Sequence, residues 1–201
     1  MNAIVHEAFP HTWSAQVLAA PPLISPARQF VYPLYVPGEE DAMARGALLL
    51  NVRPAIGGVF LATCALGFRD PSLPSGVYAC PRGDDMLAVA GGYAYLIDTL
   101  QPELCLHLPL RPVTQVIAAP DDGLLLLAGF HHVAAIGSEG LRWQSGRLSW
   151  EGVQLSEVSE GKLHGSGWNM HTDRDVPFTL DLRTGDHEGG GFERKSVENR
   201  V

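Results

Sequence analysis

The sequence predicts an all-β protein built from repeated antiparallel hairpins. Short apolar runs alternate with turn-forming residues along most of the 201-residue chain, and its 22 glycines and 15 prolines follow no period of three. A single segment, residues 39–45, predicts a short helix, because acidic residues begin it, Arg45 ends it and Gly46 follows.

The most apolar stretch, residues 118–140, predicts the centre of the molecule. Turn-forming residues 120–123 precede four leucines, Leu124 to Leu127, and a second turn at 129–132 leads into the apolar residues 133–136. A strand pair with no polar face needs cover on both sides. We therefore expect this hairpin to be buried between other sheets.

The hairpin pattern recurs along the chain. A shift of 39 residues lays Ala79 on Ala118, Pro81 on Pro120, Leu87 on Leu126, and Ile97 on Ile136. A weaker third copy covers residues 162–185, and residues 46–70 fit a fourth. Repeats of about 40 residues with four short strands each are typical of propeller blades.

Two segments support a family resemblance. Residues 135–143 and 180–185 resemble the strand-Asp-x-x-x-Gly-x-x-Trp ending of blades in WD40-like and quinoprotein-like β-propellers, and the resemblance extends over about residues 76–190. It implies a small or partial β-propeller. A β-sandwich or an open barrel made of the same hairpins is the alternative.

Composition also divides the chain. Residues 1–45 are rich in proline and carry large apolar side chains, which predicts an arm packed on the body. Residues 46–192 predict a single all-β repeat domain. Residues 193–201 lose the apolar pattern and predict a flexible tail.

Charge and cysteine content indicate which classes of partner and which cellular compartment to expect. A net charge of -8 without a basic patch argues against nucleic acid, and no apolar run approaches the 18 residues of a membrane span. We see no signal peptide and expect a cytoplasmic protein. Cys64, Cys80 and Cys105 lack paired spacing, so we expect reduced thiols without metal, and no cofactor.

Two polar loops contain the candidate site residues. They are His131, His132, Trp168, His171 and Asp173. Imidazole and carboxylate groups can bind a metal or exchange a proton. If the repeats stack in register, both loops lie at one end and form a pocket; otherwise they are solvated turns.

These features favour a non-enzymatic binding or scaffold module whose partner is another protein. One alternative is a metal-dependent or His/Asp hydrolase that uses the loops at 131–132 and 164–175. The other is a small acidic inhibitor or immunity-type protein, which the negative charge permits.

Overall fold

A computed structural model, which describes residues 4–33 and 42–192, confirms the all-β class. Helical residues in the described part form two 3-10 turns, Ala42–Arg45 and Pro120–Asp122. Residues 39–41 of the predicted helix and the predicted tail 193–201 lie outside the described residues. Neither of these turns has the length and the apolar character needed to cross a membrane.

The described residues form seventeen strands. In chain order they are β1 (Ile4–His6), β2 (Ser14–Leu18), β3 (Arg28–Tyr32), β4 (Ala47–Arg53), β5 (Phe60–Ala65), β6 (Gly76–Ala79), β7 (Asp85–Ala90), β8 (Tyr93–Asp98), β9 (Cys105–His107), β10 (Gln115–Ala119), β11 (Leu124–Ala128), β12 (Val133–Gly137), β13 (Gly140–Gln144), β14 (Val153–Ser159), β15 (Lys162–Asn169), β16 (Arg174–Asp181) and β17 (His187–Gly189).

The strands make four sheets. Sheet I has the order β2-β4-β5-β3, sheet II has β1-β6-β7-β8-β9, sheet III has β10-β11-β12-β13, and sheet IV has β14-β15-β16-β17. Neighbouring strands are antiparallel except for the parallel pairs β1–β6 and β3–β5. Sheets III and IV are simple antiparallel meanders, and sheet II becomes one when β1 is set aside.

The 39-residue repeat of the sequence is also a repeat of strand register. Met86 pairs with Ile97 in sheet II, and Leu125 pairs with Ile136 in sheet III. Adding 39 to both residue numbers of the first pair gives the second pair. Strands β15 and β16 repeat the arrangement over a longer hairpin. The repeated unit is therefore a four-stranded blade-like sheet.

A carboxylate fixes the turn after the third strand in two of the repeats. Asp98 and Asp181 each accept hydrogen bonds from the main-chain N–H groups two and three residues ahead, at distances of 2.8–3.1 Å. Such a carboxylate holds the backbone in a tight turn. Gly137 occupies the matching position in sheet III.

Sheet III is covered on both faces, as its sequence predicts. Leu125 and Leu127 belong to the apolar cluster shared with sheets I and II, whereas Leu124 and Leu126 belong to the cluster shared with sheet IV. Each of these side chains is at most 1% exposed, and its burial contributes about 1.5–3 kcal/mol. Sheet III therefore lies inside the stack.

The four sheets form an open stack. In the described residues, no buried apolar cluster contains side chains from both sheet I and sheet IV. Sheet IV has a polar outer face, where Lys162 pairs with Asp181 and His164 pairs with Thr179. A polar outer face lets a terminal repeat end a stack in water.

Side-chain hydrogen bonds to the backbone connect neighbouring sheets. The Tyr95 hydroxyl of sheet II donates to the Ala65 carbonyl of sheet I at 2.8 Å. The Gln115 side chain of sheet III donates to the Leu155 carbonyl and accepts from the Leu155 N–H, at 3.1 and 2.9 Å. A two-point bond of this kind fixes the position of β14 against β10.

The proline-rich N-terminal residues that the structure describes take part in the sheets. Strand β1 extends sheet II beside β6, and β2 and β3 form the two edges of sheet I. Trp13 is buried, and its indole N–H donates to the Asp85 carbonyl at 3.0 Å. The prolines of this segment fall between the strands, where the ladder needs no N–H donor.

Candidate functional site

The two turns that carry the predicted site residues lie at the same end of the strands of sheets III and IV. We call this end of the molecule the turn end. The β11–β12 turn contains residues 129–132, and the β15–β16 turn contains residues 170–173. The connection from sheet III to sheet IV touches both turns: Leu148 N–H donates to the His131 carbonyl at 2.8 Å, and Trp150 N–H donates to the Trp168 carbonyl at 3.0 Å.

Two buried serines hold that connection in place. The Ser145 hydroxyl oxygen accepts the Val133 N–H at 3.0 Å. The Ser149 hydroxyl oxygen accepts the Trp168 N–H at 2.8 Å. Both serines are at most 6% exposed, so the connection is part of the structured body and can hold side chains in fixed positions.

Arg147 is the central side chain of the turn end. Its guanidinium donates to the carbonyls of Ser149 and Trp150, at 3.0 and 3.1 Å. The guanidinium carbon also lies 4.9 Å from the Trp150 ring centroid and 4.6 Å from the Phe192 ring centroid. Both distances are within the range of a cation–π contact. Arg147 therefore joins the connection to the residues that follow β17.

The Arg147–Trp150 pair links the two predicted loops. Arg147 Nη2 lies 3.4 Å from His131 Nδ1, and it donates there when that nitrogen carries no proton. The Trp150 ring meets the His171 ring edge-on, with 5.5 Å between the centroids. His131 thus contacts Arg147 and His171 contacts Trp150, and the two histidines do not contact each other in the described structure.

The other predicted residues have separate contacts. Trp168 Nε1 donates to Asp173 Oδ1 at 3.1 Å, so the pair closes the base of the β15–β16 turn. His132 Nδ1 lies 3.2 Å from the Ser145 carbonyl oxygen. The five residues therefore lie around one end without converging on a single point.

The turn that carries His171 is fixed by its own backbone bonds. Asn169 is buried, and its side-chain oxygen accepts the N–H groups of His171 and Thr172 at 2.9 and 3.2 Å. Asp173 adopts a φ of 50°, a left-handed conformation that Asp and Asn tolerate better than most residues. The turn presents its side chains in a defined arrangement.

The geometry offers no metal centre in the described residues. No group of three His, Cys, Asp or Glu side chains there lies close enough to hold a metal ion. His131 is engaged with Arg147, and Asp173 is engaged with Trp168. The turn end presents aromatic, cationic and apolar side chains on a fixed backbone.

Sequence reasoning missed four residues of the turn end. They are Phe130, Arg147, Met170 and Phe192. Phe130 and Met170 stand at the tips of the two equivalent turns and are 38% and 47% exposed. A large apolar residue directly after Gly129 or Asn169, where turns favour small and polar residues, is the signal that could have found them.

A polar cleft of about 440 Å³ opens beside Arg147. It is lined by Gly146, Arg147, Gly185, Asp186, His187 and Phe192. His187 begins the edge strand β17 of sheet IV and Asp186 directly precedes it, so the cleft extends from the turn end along the side of the stack.

Comparisons with solved structures find chains of similar fold. No protein-family model and no curated protein matches the chain. The solved structure of the N-terminal domain of Nup159 is similar over 92% of this chain and 52% of that chain, with 13% sequence identity and a TM-score of 0.35. The chain thus spans about half the length of that domain.

Proposed function

We propose that the protein is a non-enzymatic binding module that recognises another protein through its turn end. One observation carries the proposal: Phe130 and Met170, at the tips of equivalent turns in adjacent sheets, are exposed to water although the cores of both sheets are closed. Large apolar side chains in such positions gain free energy when a partner covers them.

The surroundings of these two residues suit a protein partner. Arg147, Trp150 and the two histidines lie between the tips, and Trp and Arg are enriched among the residues that dominate protein interfaces. The serine and asparagine bonds fix the backbone beneath them. A rigid surface loses little conformational entropy on binding.

The two alternative functions have less support at this end. A hydrolase needs a nucleophile or metal held beside a base, whereas His131 and Asp173 are each paired with a structural group. An acidic inhibitor would bind through carboxylates and weaken strongly with salt. Binding through Phe130 and Met170 depends mainly on apolar contact, so we expect little dependence on salt.

A cytoplasmic location belongs to the same proposal. Three free cysteines support it, because reduced thiols persist in a reducing compartment. Burial raises the pKa of Cys64 and Cys80 above the ordinary thiol range, and it raises the pKa of Cys105 to about 12. Thiols in this state react slowly and suit a packing role.

Site-specific photo-crosslinking tests the proposal. A photoreactive phenylalanine analogue replaces Phe130, Met170 or Leu141 in cells that naturally make the protein. Leu141 is a matched control, because it is 38% exposed like Phe130 but lies at the opposite end of sheet III. We expect the same protein adduct from positions 130 and 170 and none from 141. Equal adducts from all three positions would contradict the proposal.

A further inference from the structure

The two most exposed large apolar side chains of the described structure are adjacent in sequence and lie beside sheet I, not in the turns of sheets III and IV. Leu23 is 106% exposed and Ile24 is 90% exposed, ahead of Ile56 at 77%. They lie in residues 19–27, which connect β2 to β3. Two neighbouring apolar side chains held fully in water need a physical reason.

The connection has more chain than it needs. Leu18 pairs with Leu49, which pairs with Thr63, whereas Arg28 pairs with Phe60. Strand rise and spacing therefore place the ends of the connection about 17 Å apart, while its ten residue steps can span about 35 Å. The segment arches, and Leu23 is its midpoint.

The arch has to lie on the outside of the molecule. Strands β2 and β3 both run parallel to β5, so the connection returns along the length of sheet I. The inner face of that sheet is closed, since Leu50, Phe60 and Ala62 are fully buried against sheet II. The connection therefore crosses the face turned away from the stack, and Leu23 and Ile24 stand at its crown.

Prolines limit the conformations of the arch. Pro22 and Pro26 are half-buried on either side of the exposed pair, and Pro21 precedes them. Proline fixes φ near the polyproline value and also restrains the residue before it. In the described structure, no backbone hydrogen bond outside the strands involves residues 19–27, so the main-chain groups of Leu23 and Ile24 are open to a partner.

The arch carries no charge. No charged residue lies between Ala15 and Ala27. The first charged residue after this stretch is Arg28. Its guanidinium donates to the Gly58 carbonyl at 3.2 Å and lies 5.6 Å from the Phe30 ring centroid, so it is held against sheet I. A chain of net charge -8 without basic residues beside its apolar crown is poorly suited to an anionic lipid surface.

From these observations we propose a second interaction element. Residues 19–27 form a preorganised peptide ligand whose Leu23 and Ile24 side chains enter a neutral, apolar groove on another protein. A segment whose backbone is already restrained by prolines loses little conformational entropy when it binds such a groove. The element belongs to sheet I, so it works independently of the turn end of sheets III and IV.

Crosslinking from within the arch tests this proposal. A photoreactive residue replaces the exposed Ser25 in cells that naturally make the protein, in the parent chain and in the double variant Leu23→Ser/Ile24→Ser. We expect one protein adduct in the parent and a loss on the order of tenfold in the double variant. A synthetic peptide of residues 18–28 should compete for the adduct, and a scrambled peptide should not.

The matched control is Ile56→Ser, an exposed apolar residue in the loop between β4 and β5 of sheet I, which should leave the adduct unchanged. The melting temperature of the double variant should equal that of the parent, because both side chains are already in water. An adduct that is a dimer of this chain, an adduct that survives the double variant, or no adduct would each overturn the proposal. The proposal would also be overturned if the parent chain sedimented with phosphatidylcholine vesicles and the double variant did not.

Discussion

The Arg147 side chain holds Trp150 in two ways: its guanidinium lies 4.9 Å from the Trp150 ring centroid and donates to the Trp150 carbonyl at 3.1 Å. The first contact fixes the ring and the second fixes the backbone. His131 touches the arginine and His171 touches the tryptophan. This pair therefore keeps the turns of sheets III and IV at a constant separation.

Replacement of Arg147 should loosen the turn end. We expect Arg147→Ala to lower the free energy of unfolding by about 2–3 kcal/mol, since it removes charged hydrogen bonds and two cation–π contacts. Urea unfolding followed by tryptophan fluorescence measures this change. Arg142→Ala, at an exposed position on β13, should change stability by less than about 0.5 kcal/mol. Equal effects of the two replacements would show that Arg147 does not organise this end.

The buried centre of the stack gives a second prediction. Leu126 is fully buried between sheets III and IV, so Leu126→Asp would place a carboxylate where no water reaches it. We expect a loss above about 4 kcal/mol, enough to abolish cooperative folding. Leu141→Asp, on the exposed edge strand of the same sheet, should melt like the parent. A Leu126→Asp chain that melts cooperatively would show that sheet III is not central.

The 39-residue repeat could be read from the sequence because its signals are local. Apolar residues that alternate with turn residues specify both strands of a hairpin and their register, which explains why Met86–Ile97 and Leu125–Ile136 match by one shift. Strand β14 offers no such signal, because only one of its last four residues, Ser156 to Ser159, is apolar. Its position depends on pairing within sheet IV and on the hydrogen bonds with Gln115.

The turn end shows where sequence reasoning stops. The two loops with His131 and His171 stand out because their residue types suggest chemistry. The contacts of Arg147 with Phe192 join residues that are distant in sequence and depend on the stacking of whole sheets. The parallel placement of β3 beside β5 likewise follows from the crossover of residues 19–27, which no local pattern specifies.

A buried carboxylate leads to a pH-dependent prediction. Burial raises the pKa of Asp85 above its usual 3.8; the ion pair with Arg82, 3.2 Å away, opposes this shift, and the charge of Asp98 adds to it. The folded chain therefore binds this proton more tightly than the unfolded chain. The contribution of Asp85 to stability becomes less favourable as pH rises through 3.8 toward the raised pKa.

The Asp85→Asn variant isolates this effect. We expect the stability of the parent relative to Asp85→Asn to increase as pH falls from about 7 to about 4, because protonation removes the buried charge only in the parent. Urea unfolding of both chains across this range measures the difference. The exposed Asp121→Asn control should show no such trend. A difference that is constant with pH would contradict the raised pKa.

The loop of His171 and Asp173 should matter for binding more than for folding. We expect His171→Ala and Asp173→Asn each to reduce formation of the turn-end adduct severalfold, with melting temperatures within about 2 °C of the parent. Asparagine is the suitable replacement because it tolerates the φ of 50° at position 173. Asp175→Asn, an exposed neighbour on β16, is the control. Adduct yields equal to the parent in both variants would make this loop a bystander.

The most direct test of the account uses one crosslinking position and two pairs of residues. A photoreactive residue at the exposed Thr172 reports the partner in the parent chain, in Phe130→Ser/Met170→Ser and in Leu141→Ser/Ile56→Ser, whose side chains are exposed at the opposite end. We predict that the first pair lowers the adduct yield at least about tenfold, and that the second pair leaves it unchanged. An adduct unaffected by the first pair, or no adduct at all, would contradict the assignment of the turn end as the working surface.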